Sequence, residues 1–531
     1  MGKTAAFNPY LPFWETIPDG EPHQFGDRIY IYGSHDSLCG TTFCEEDYAL
    51  WSAPADDPGN WRFDGIIYRK DQDPLNGAAC GHTAAGEPIN VPADVPIGTK
   101  NHPHCLFAPD VAQGPDGRYY LYYALDFADV ISVAVADRPE GPFAFLDYVR
   151  FADGTVPSKG INFDPAILSE TAQDSCTGHA GNCLYYGFAP QFRFPGQEAR
   201  EIPGAMMVKL ADDMHTIISE PVCVANGCDT AEGTDYEAHP FFEASSIRKI
   251  GDWYYFVYSS LQGHELCYGM AKTPEGPFAC KGVLISNGDI GLNGNTEAVC
   301  HMGNNHGGLL TLGDRTYIFW HRHTHGTQYS RQGCADEVQI RPDGTIPQTE
   351  ITSCGLNGGP LPARGQYPAQ IACHLTEADR TKVGMSRMAA PGEELPPLPA
   401  DQPYITEEAW RYGEKGLRSM IRNLCTGAVA GYKYFAFDGT ERQVSFTLRG
   451  RGRVEMRLDA PDGEVCAACR IPESDGKPSA GSPAEADSCG TEETFGWITV
   501  SAELHRPLQG MHAVYFRIAE GKLDLSCFAF A

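Results

Sequence analysis

No stretch of the 531 residues approaches the run of roughly 18 to 20 uninterrupted apolar residues that a membrane-spanning helix requires. Residues 1–20 lack the apolar core of a secretory leader, so the chain reads as cytoplasmic, or as secreted only if a leader has been removed. Positive charge is scarce as well. Only 40 Lys and Arg stand against 69 Asp and Glu, and the formal net charge of −29 repels phosphate backbones and anionic lipid surfaces. Nucleic acid and membranes are thereby disfavoured as partners, while an uncharged ligand such as a sugar feels no such repulsion. Helical periodicity is sparse before about residue 400, which argues against a doubly wound sheet or a TIM barrel. The 42% hydrophobic and 21% charged content excludes collagen, coiled coil and wholesale disorder. The 19 cysteines are odd in number, so they cannot all pair within one chain, and reduced thiols are expected.

What is present is a repeat. A turn followed by alternating aromatic and β-branched residues begins at Gly26, Gly117, Asn182, Gly251 and Gly313. Gly-Asp supplies the turn in three of these, and the Tyr, Ile, Phe and Val that follow suit a pleated strand. Spacings of roughly 60 to 90 residues leave room for a four-stranded sheet with its loops, the unit of a β-propeller blade. After two of the aromatic strands, the turns Pro139–Phe143 and Pro274–Phe278 share the sequence Pro-Glu-Gly-Pro-Phe, as expected of a blade's exit. The expected fold is all-β, a five-bladed β-propeller followed by a C-terminal β-sandwich of jelly-roll type.

Just before each aromatic strand, on the segment expected to be innermost, lies one polar residue in an apolar or Pro-flanked setting. These are Glu21, Asp110, Asp164, Glu243 and His306. Equivalent positions in successive blades converge on one axis, so four carboxyls and an imidazole are expected to meet there. Carboxyls crowded in one cavity push their pKa values apart, which lets one act as acid while another acts as base.

In this order, and in register with the strands, the motifs resemble glycoside hydrolase family 43, which includes arabinofuranosidases and xylosidases. Ala108-Pro109-Asp110-Val111 is similar to that family's Trp-Ala-Pro-Asp motif, with Phe107 in place of Trp, and Asn162–Ala166 is similar to its Ile-Asp-Pro segment. Phe242-Glu243 resembles the segment with the general acid, and Asn305–Gly308 the Gly-His-Gly stretch whose His lies near a calcium or its water. The resemblance implies an exo-acting, inverting glycosidase with Glu243 as acid, Asp164 tuning it and Asp110 holding substrate hydroxyls. The implied substrates are terminal sugars of oligosaccharides or polysaccharide side chains, with an α-L-arabinofuranoside first, then a β-D-xyloside or a galactofuranoside. It requires no cofactor but implies a structural calcium near His306. The base falls on Glu21 of Glu21-Pro22, where the family has Asp-Pro, with Asp19 two residues earlier as the alternative. A propeller that binds glycans without cleaving them is the second reading, because of that Glu.

Phe13, Trp14, His35 and Phe107 are candidate sugar platforms or donors by position, and Arg331 is a candidate substrate-gripping cation. His321, His323 and His325 alternate along a strand, but without an acidic ligand pattern they read as polar strand residues. Cys466 and Cys469 form a lone CxxC with no second pair, and point to neither zinc nor redox chemistry. Residues 387–403 are rich in Pro and acids and read as a linker between a propeller at 1–386 and a sandwich at 404–531. In the latter, short alternating runs such as Tyr432–Phe437, Gln443–Leu448 and Ala513–Ile518 predict strands, and Pro472–Cys489 a loop.

Overall fold

The computed structural model describes residues 6–38, 40–76, 98, 103–170, 181–193, 199–389, 393–409, 417–471 and 496–531. The five aromatic runs are the second strands of five sheets. Blade 1 consists of Glu21–Phe25, Arg28–Tyr32, Tyr48–Pro54 and Arg62–Tyr68 in antiparallel order. Blade 2 is built the same way from Asp110–Gln113, Tyr119–Ala124, Ile131–Ala136 and Ala144–Tyr148, and blade 4 from Phe241–Ile250, Trp253–Ser260, Glu265–Ala271 and Ala279–Ser286. Blade 3 runs Ala166–Glu170, Gly181–Tyr186, Gly204–Leu210 and Val222–Asn226, with the short Thr216–Ile217 also on its third strand. Blade 5 has Leu309–Leu312, Arg315–His323 and Arg331–Val338.

The first strands of the blades touch one another in cyclic order, 1 to 2 to 3 to 4 to 5 and back to 1, so they line a single axis. The aromatic second strands are buried because each is covered by neighbouring blades on both faces, and Tyr32, Tyr122, Tyr123, Tyr185 and Tyr254 are among the fully buried side chains. Buried hydroxyls need partners. Tyr32 donates to Pro139 O at 2.7 Å and Tyr185 to Pro274 O at 2.5 Å, which ties each strand to the Pro-Glu-Gly-Pro-Phe turn of an adjacent blade. The ring closes through the N-terminal segment. Asn8 Nδ2 donates to Ala335 O at 2.9 Å, Ala335 N donates to Asn8 Oδ1 at 2.8 Å, and Tyr10 N donates to Gly333 O at 3.3 Å, all on the third strand of blade 5.

The C-terminal sandwich is dominated by two long strands, Gln443–Leu458 and Gln509–Phe530, that pair with each other along most of their length. Both bend at glycines. A Cβ on Gly452, at φ +138°, would stand 1.8 Å from Glu520 O, so only glycine lets the two backbones cross there. The core holds Phe435, Phe446, Phe516 and Phe528. The strands do not divide where the Pro-rich stretch suggests. Leu361–Pro362 pairs with Phe435–Ala436, Gly365–Pro368 with Cys527–Phe530, and His374–Thr376 with Val429–Gly431, so residues placed by sequence with the propeller complete the second sheet. Part of the expected linker is pinned as well: Arg387 bridges to Thr327, and its guanidinium donates to Gly326 O and His325 O. The two domains are further joined by buried Lys433, whose Nζ lies 3.1 Å from Asp289 and 2.9 Å from Glu350.

Among the described residues no helix is long and apolar enough to cross a membrane. The 15 described cysteines are free thiols. Cys466 and Cys469, three apart on the strand Val465–Ile471, contact different backbone carbonyls, those of Met456 and Ser501. The segment 472–489 lies outside the described residues.

Candidate active site

Three of the acids near the axis are presented by local irregularities. Asp19 and Asp164 sit in the left-handed region, at φ +55° and +44°, just ahead of the first strands of blades 1 and 3. In blade 4 the pairing register slips between Phe241, Glu243 and Ser246, and Ala244 takes φ +67°. A bulge of this kind re-aims one side chain out of the strand's alternation, here Glu243. Non-glycine residues hold such conformations at a cost that the surrounding structure must offset, and they gather at functional sites. The Ala244 amide is held by Asp164, whose Oδ2 accepts from it at 2.9 Å. Asp164 therefore fixes the bulge that carries Glu243.

The five acids Asp19, Glu21, Asp110, Asp164 and Glu243 divide into two groups. Asp19, Asp164 and Glu243 influence one another electrostatically, with His306, His321 and Arg331 around them. Asp19 is buried, yet its pKa is held below the usual carboxylate range. Burial opposes ionisation, but the Arg331 guanidinium 3.0 Å away and a hydrogen bond from Ser34 Oγ outweigh it. Glu243, half-buried, moves the other way, up to about 7, because burial and the Asp19 charge outweigh Arg331. Asp164 is raised well above its ordinary range by burial and then by the Glu243 and Asp19 charges, so Asp164 and Glu243 hold a proton between them. His321 is neutral, pushed down to about 3 chiefly by burial. Its Nδ1 accepts from Asp19 N at 3.3 Å and its Nε2 donates to Asn304 O at 2.7 Å, which fixes the tautomer.

Glu21 and Asp110 form a second group, joined through Arg248 and His23. Glu21 Oε2 accepts from Arg248 at 2.6 Å and from Ser246 Oγ at 3.1 Å, and Asp110 Oδ1 lies 2.6 Å from His23 Nε2. Asp110 also accepts backbone amides, Val111 N at 2.7 Å and Ile167 N at 2.8 Å. Its oxygens are spent on joining blades 1, 2 and 3, so the expected role of Asp110 in holding sugar hydroxyls does not match its surroundings. Glu21 is packed so closely that a Cβ on Gly308 would meet its Oε2 at 2.6 Å. Its pKa is pushed up to about 8 by burial and Asp110, against the pull of Arg248. A carboxyl that resists ionisation and is clamped by a guanidinium is poorly placed to deprotonate water.

His306 stands between the groups, with Nε2 3.9 Å from Glu21 Oε1 and Nδ1 3.8 Å from Asp164 Oδ2. Glu21 Oε1 and His306 Nε2 have no hydrogen-bond partner. Among the described residues Glu21, His23 and Asp110 come close enough to share an ion. They do not fit calcium, which takes six to eight oxygen ligands: His23 and Asp110 are engaged with each other, and Arg248 already brings a positive charge to Glu21. His321 and His323 lie edge to face at 5.6 Å, while His325 lies past the end of that strand and pairs with Glu407 at 3.2 Å, so the three do not assemble a metal site.

Of the remaining candidates, Phe107 packs against Phe163, the residue before Asp164, with ring centroids 5.3 Å apart and planes tilted by 55°, and Phe163, Phe188 and Phe242 continue ring to ring at 5.5 and 5.1 Å. Phe107 is thus part of an aromatic arc that reaches the residue before Glu243. His35 is bound to Glu15 Oε1 and Asp47 O, both at 3.0 Å, and is not free to grip a sugar. Trp14 is 44% exposed and leans on Trp51 at 5.8 Å, with no described contact to the axial acids. Phe13 offers its carbonyl to Gln332. Arg331, expected to grip substrate, is buried and engaged with Asp19 and Asp36. Sequence reading missed Arg248, Ser246 and Asp36; a lone arginine in an inner strand was the available signal for the first.

The Glu21–Arg248 contact has a testable cost. Because the Glu21 pKa is raised on folding, its protonated form is fully compatible with the fold below its ordinary pKa, and stability is lost as pH rises toward about 8. Removing Arg248 extends that loss. Arg248→Met is expected to cost about 3–5 kcal/mol at pH 9, where an unpaired carboxylate must be buried, and far less at pH 5; denaturant unfolding at the two pH values measures it.

A family model described as glycosyl hydrolases family 43 matches residues 81–346. A xylosidase/arabinosidase of Thermoclostridium stercorarium is 41% identical over 519 residues, covering 96% of this chain and 95% of that protein. A xylosidase/arabinosidase of Bacteroides ovatus is 31% identical over 294 residues, 52% of this chain and 80% of its own length. The crystal structure of a family 43 arabinoxylan arabinofuranohydrolase from Bacillus subtilis, in complex with cellotetraose, aligns over 99% of both chains at 18% identity with a TM-score of 0.48. The propeller, its axial acids and the near full-length likeness agree: this chain is a glycosidase and belongs to glycosyl hydrolases family 43.

Proposed function

We propose that the chain removes terminal pentosyl groups, α-L-arabinofuranosyl or β-D-xylosyl, from oligosaccharides or polysaccharide side chains with inversion at the anomeric carbon. The names of the relatives at 41% and 31% identity, both xylosidase/arabinosidase, support the sugar class. What carries the mechanism is the opposed setting of two acids: Asp19, held by Arg331 at 3.0 Å and by Ser34, favours the anion, while burial and the Asp19 charge push Glu243 up to about 7. In this reading Asp19, not Glu21, is the base. It takes a proton from the water that attacks the anomeric carbon, while Glu243 gives its proton to the departing oxygen and the glycosidic C–O bond breaks. Asp164 positions Glu243 through the Ala244 amide, and the Asp19 charge together with burial keeps the proton on Glu243. His306 and the aromatic arc from Phe107 to Phe242 border the sugar.

The sandwich serves here as a docked support. Its Trp497 is an unsuitable sugar platform, since the Arg418 and Arg449 guanidiniums lie 4.8 and 4.9 Å from its ring centroid and its Nε1 donates to Glu408 at 2.9 Å.

The reading is tested with a panel of 4-nitrophenyl glycosides, covering α-L-arabinofuranoside, β-D-xyloside and β-D-galactofuranoside, and a Glu243→Ala control. Turnover of the arabinofuranoside or the xyloside, lost in the control, is expected. A wild-type protein no faster than that control on every sugar would instead favour a propeller that only binds glycans.

A further inference from the structure

Asp36 lies in the loop that follows the aromatic strand of blade 1, and it touches neither Glu243 nor Asp164 in any described contact. It is nevertheless fully buried, and every polar atom it has is used. Its backbone amide donates to Thr16 O at 3.0 Å and its carbonyl accepts from Thr16 Oγ1 at 2.7 Å, which fixes it against the segment leading to Asp19. Its carboxylate grips Arg331 in a fork: Oδ2 accepts Nε at 2.9 Å and the backbone amide at 3.1 Å, and Oδ1 accepts an Nη2 proton at 2.8 Å. Oδ1 also accepts Cys44 N at 3.0 Å.

The guanidinium so held is packed on the Phe43 ring, its Cζ 4.8 Å from the centroid, and its Nη2 meets Cys44 Sγ at 3.4 Å. Only Nη1 is then directed at Asp19, at 3.0 Å. This division of labour matters because an arginine with a single carboxylate partner pairs with it through two parallel bonds. Such a closed pair would occupy both oxygens of Asp19. With Asp36 taking the fork, Arg331 gives Asp19 one bond on Oδ1, Ser34 takes Oδ2, and lone pairs remain for a water.

We propose that Asp36 is a positioning residue for the hydrolytic base: it captures the bidentate edge of Arg331 so that Asp19 is stabilised as an anion yet left open to water. The proposal rests on Asp19 being the base. It also makes Arg331 a member of the base's scaffold instead of a sugar contact, which accounts for its burial.

The measurement is kcat and KM of wild type, Asp19→Asn, Asp36→Asn, Asp36→Glu, Arg331→Met and the double variant Asp36→Asn/Arg331→Met, on whichever 4-nitrophenyl glycoside the wild type turns over, with thermal unfolding of each recorded alongside. Asp36→Asn is expected to lower kcat by about 10- to 100-fold with KM within about threefold. Asp36→Glu, which keeps a carboxylate fork, should recover part of the loss. Because Asp36 acts through Arg331, adding Asp36→Asn to Arg331→Met should change kcat by less than about threefold. Asp36→Asn at wild-type kcat, a loss that appears in KM, or losses that multiply in the double variant would each overturn the proposal. Should Asp36→Asn unfold, the comparison of Asp36→Glu with wild type and of Arg331→Met with the double variant decides in the same way. Activity retained by Asp19→Asn would instead remove the base assignment on which the proposal stands.

Discussion

Asp19→Asn is expected to lower kcat by about 10⁴-fold on an aryl glycoside, with KM changed only a few-fold, whereas Glu21→Gln keeps activity within about tenfold of wild type. The contrast follows from what surrounds each carboxyl. Asp19 is ionised by Arg331 and by its neighbours' orientation, and it is grouped with Glu243. Glu21 resists ionisation and shares its Oε2 between Arg248 and Ser246. An amide at 19 keeps the size and the hydrogen bond from Ser34 but has no basic lone pair, so the loss belongs in the chemical step. An amide at 21 still accepts from Arg248. Steady-state kinetics of the two variants side by side tests both halves; equal losses, or a larger loss at 21, would return the base to Glu21.

The second large effect concerns the acid. Glu243→Gln should lower kcat by about 10³-fold on a substrate whose leaving group needs a proton, such as xylobiose or an alkyl glycoside, and by far less on a 2,4-dinitrophenyl glycoside, whose oxygen departs as a stable anion. The pH profile carries the same information. A carboxyl acting as acid must be protonated, and with the Glu243 pKa raised to about 7 the active fraction is complete well below that pH and is lost as pH rises through it. Asp19, held low, must be ionised, so the acid limb falls below the usual carboxylate range. The kcat/KM profile of the wild type is expected to fall above about pH 7, and in Glu243→Gln on the dinitrophenyl substrate that basic limb should vanish.

Much of this was visible in the chain before any coordinates. Repetition made it so: five Gly-turn-aromatic strands announce five blades because every blade must bury the same strand against its neighbours. The axial positions were found for the same reason, since a repeat places equivalent residues at one radius. Repetition says nothing of which partners each carboxyl meets, so the sequence leaves both Glu21 and Asp19 open as the base. Asp19 sits two residues before the strand, in a left-handed turn, and Glu21 is the strand's first residue; the first meets Arg331 and Ser34, the second Arg248 and Ser246. The bulge at Glu243 was equally invisible, because a register slip is set by backbone pairing with Trp253–Ser260 and leaves no mark in composition.

Long-range pairing hid the rest. Arg331 reads as a free loop cation until Asp36, 295 positions earlier, is brought beside it by ring closure. Strands at 361–376 read as the end of the propeller until Gln509–Phe530 returns to claim them. Charges and strands whose partners lie hundreds of residues away have no local signature.

The most direct test of the whole account is ¹H NMR of the first sugar released from the glycoside the enzyme prefers, recorded before mutarotation. A water activated by Asp19 on the face opposite Glu243 inverts the anomeric carbon, so a β-D-xyloside must give α-xylose first, and an α-L-arabinofuranoside the β-anomer. A first-formed sugar with the configuration of the substrate would mean that a carboxylate attacks the sugar directly, and would contradict the roles assigned here to Asp19 and Glu243.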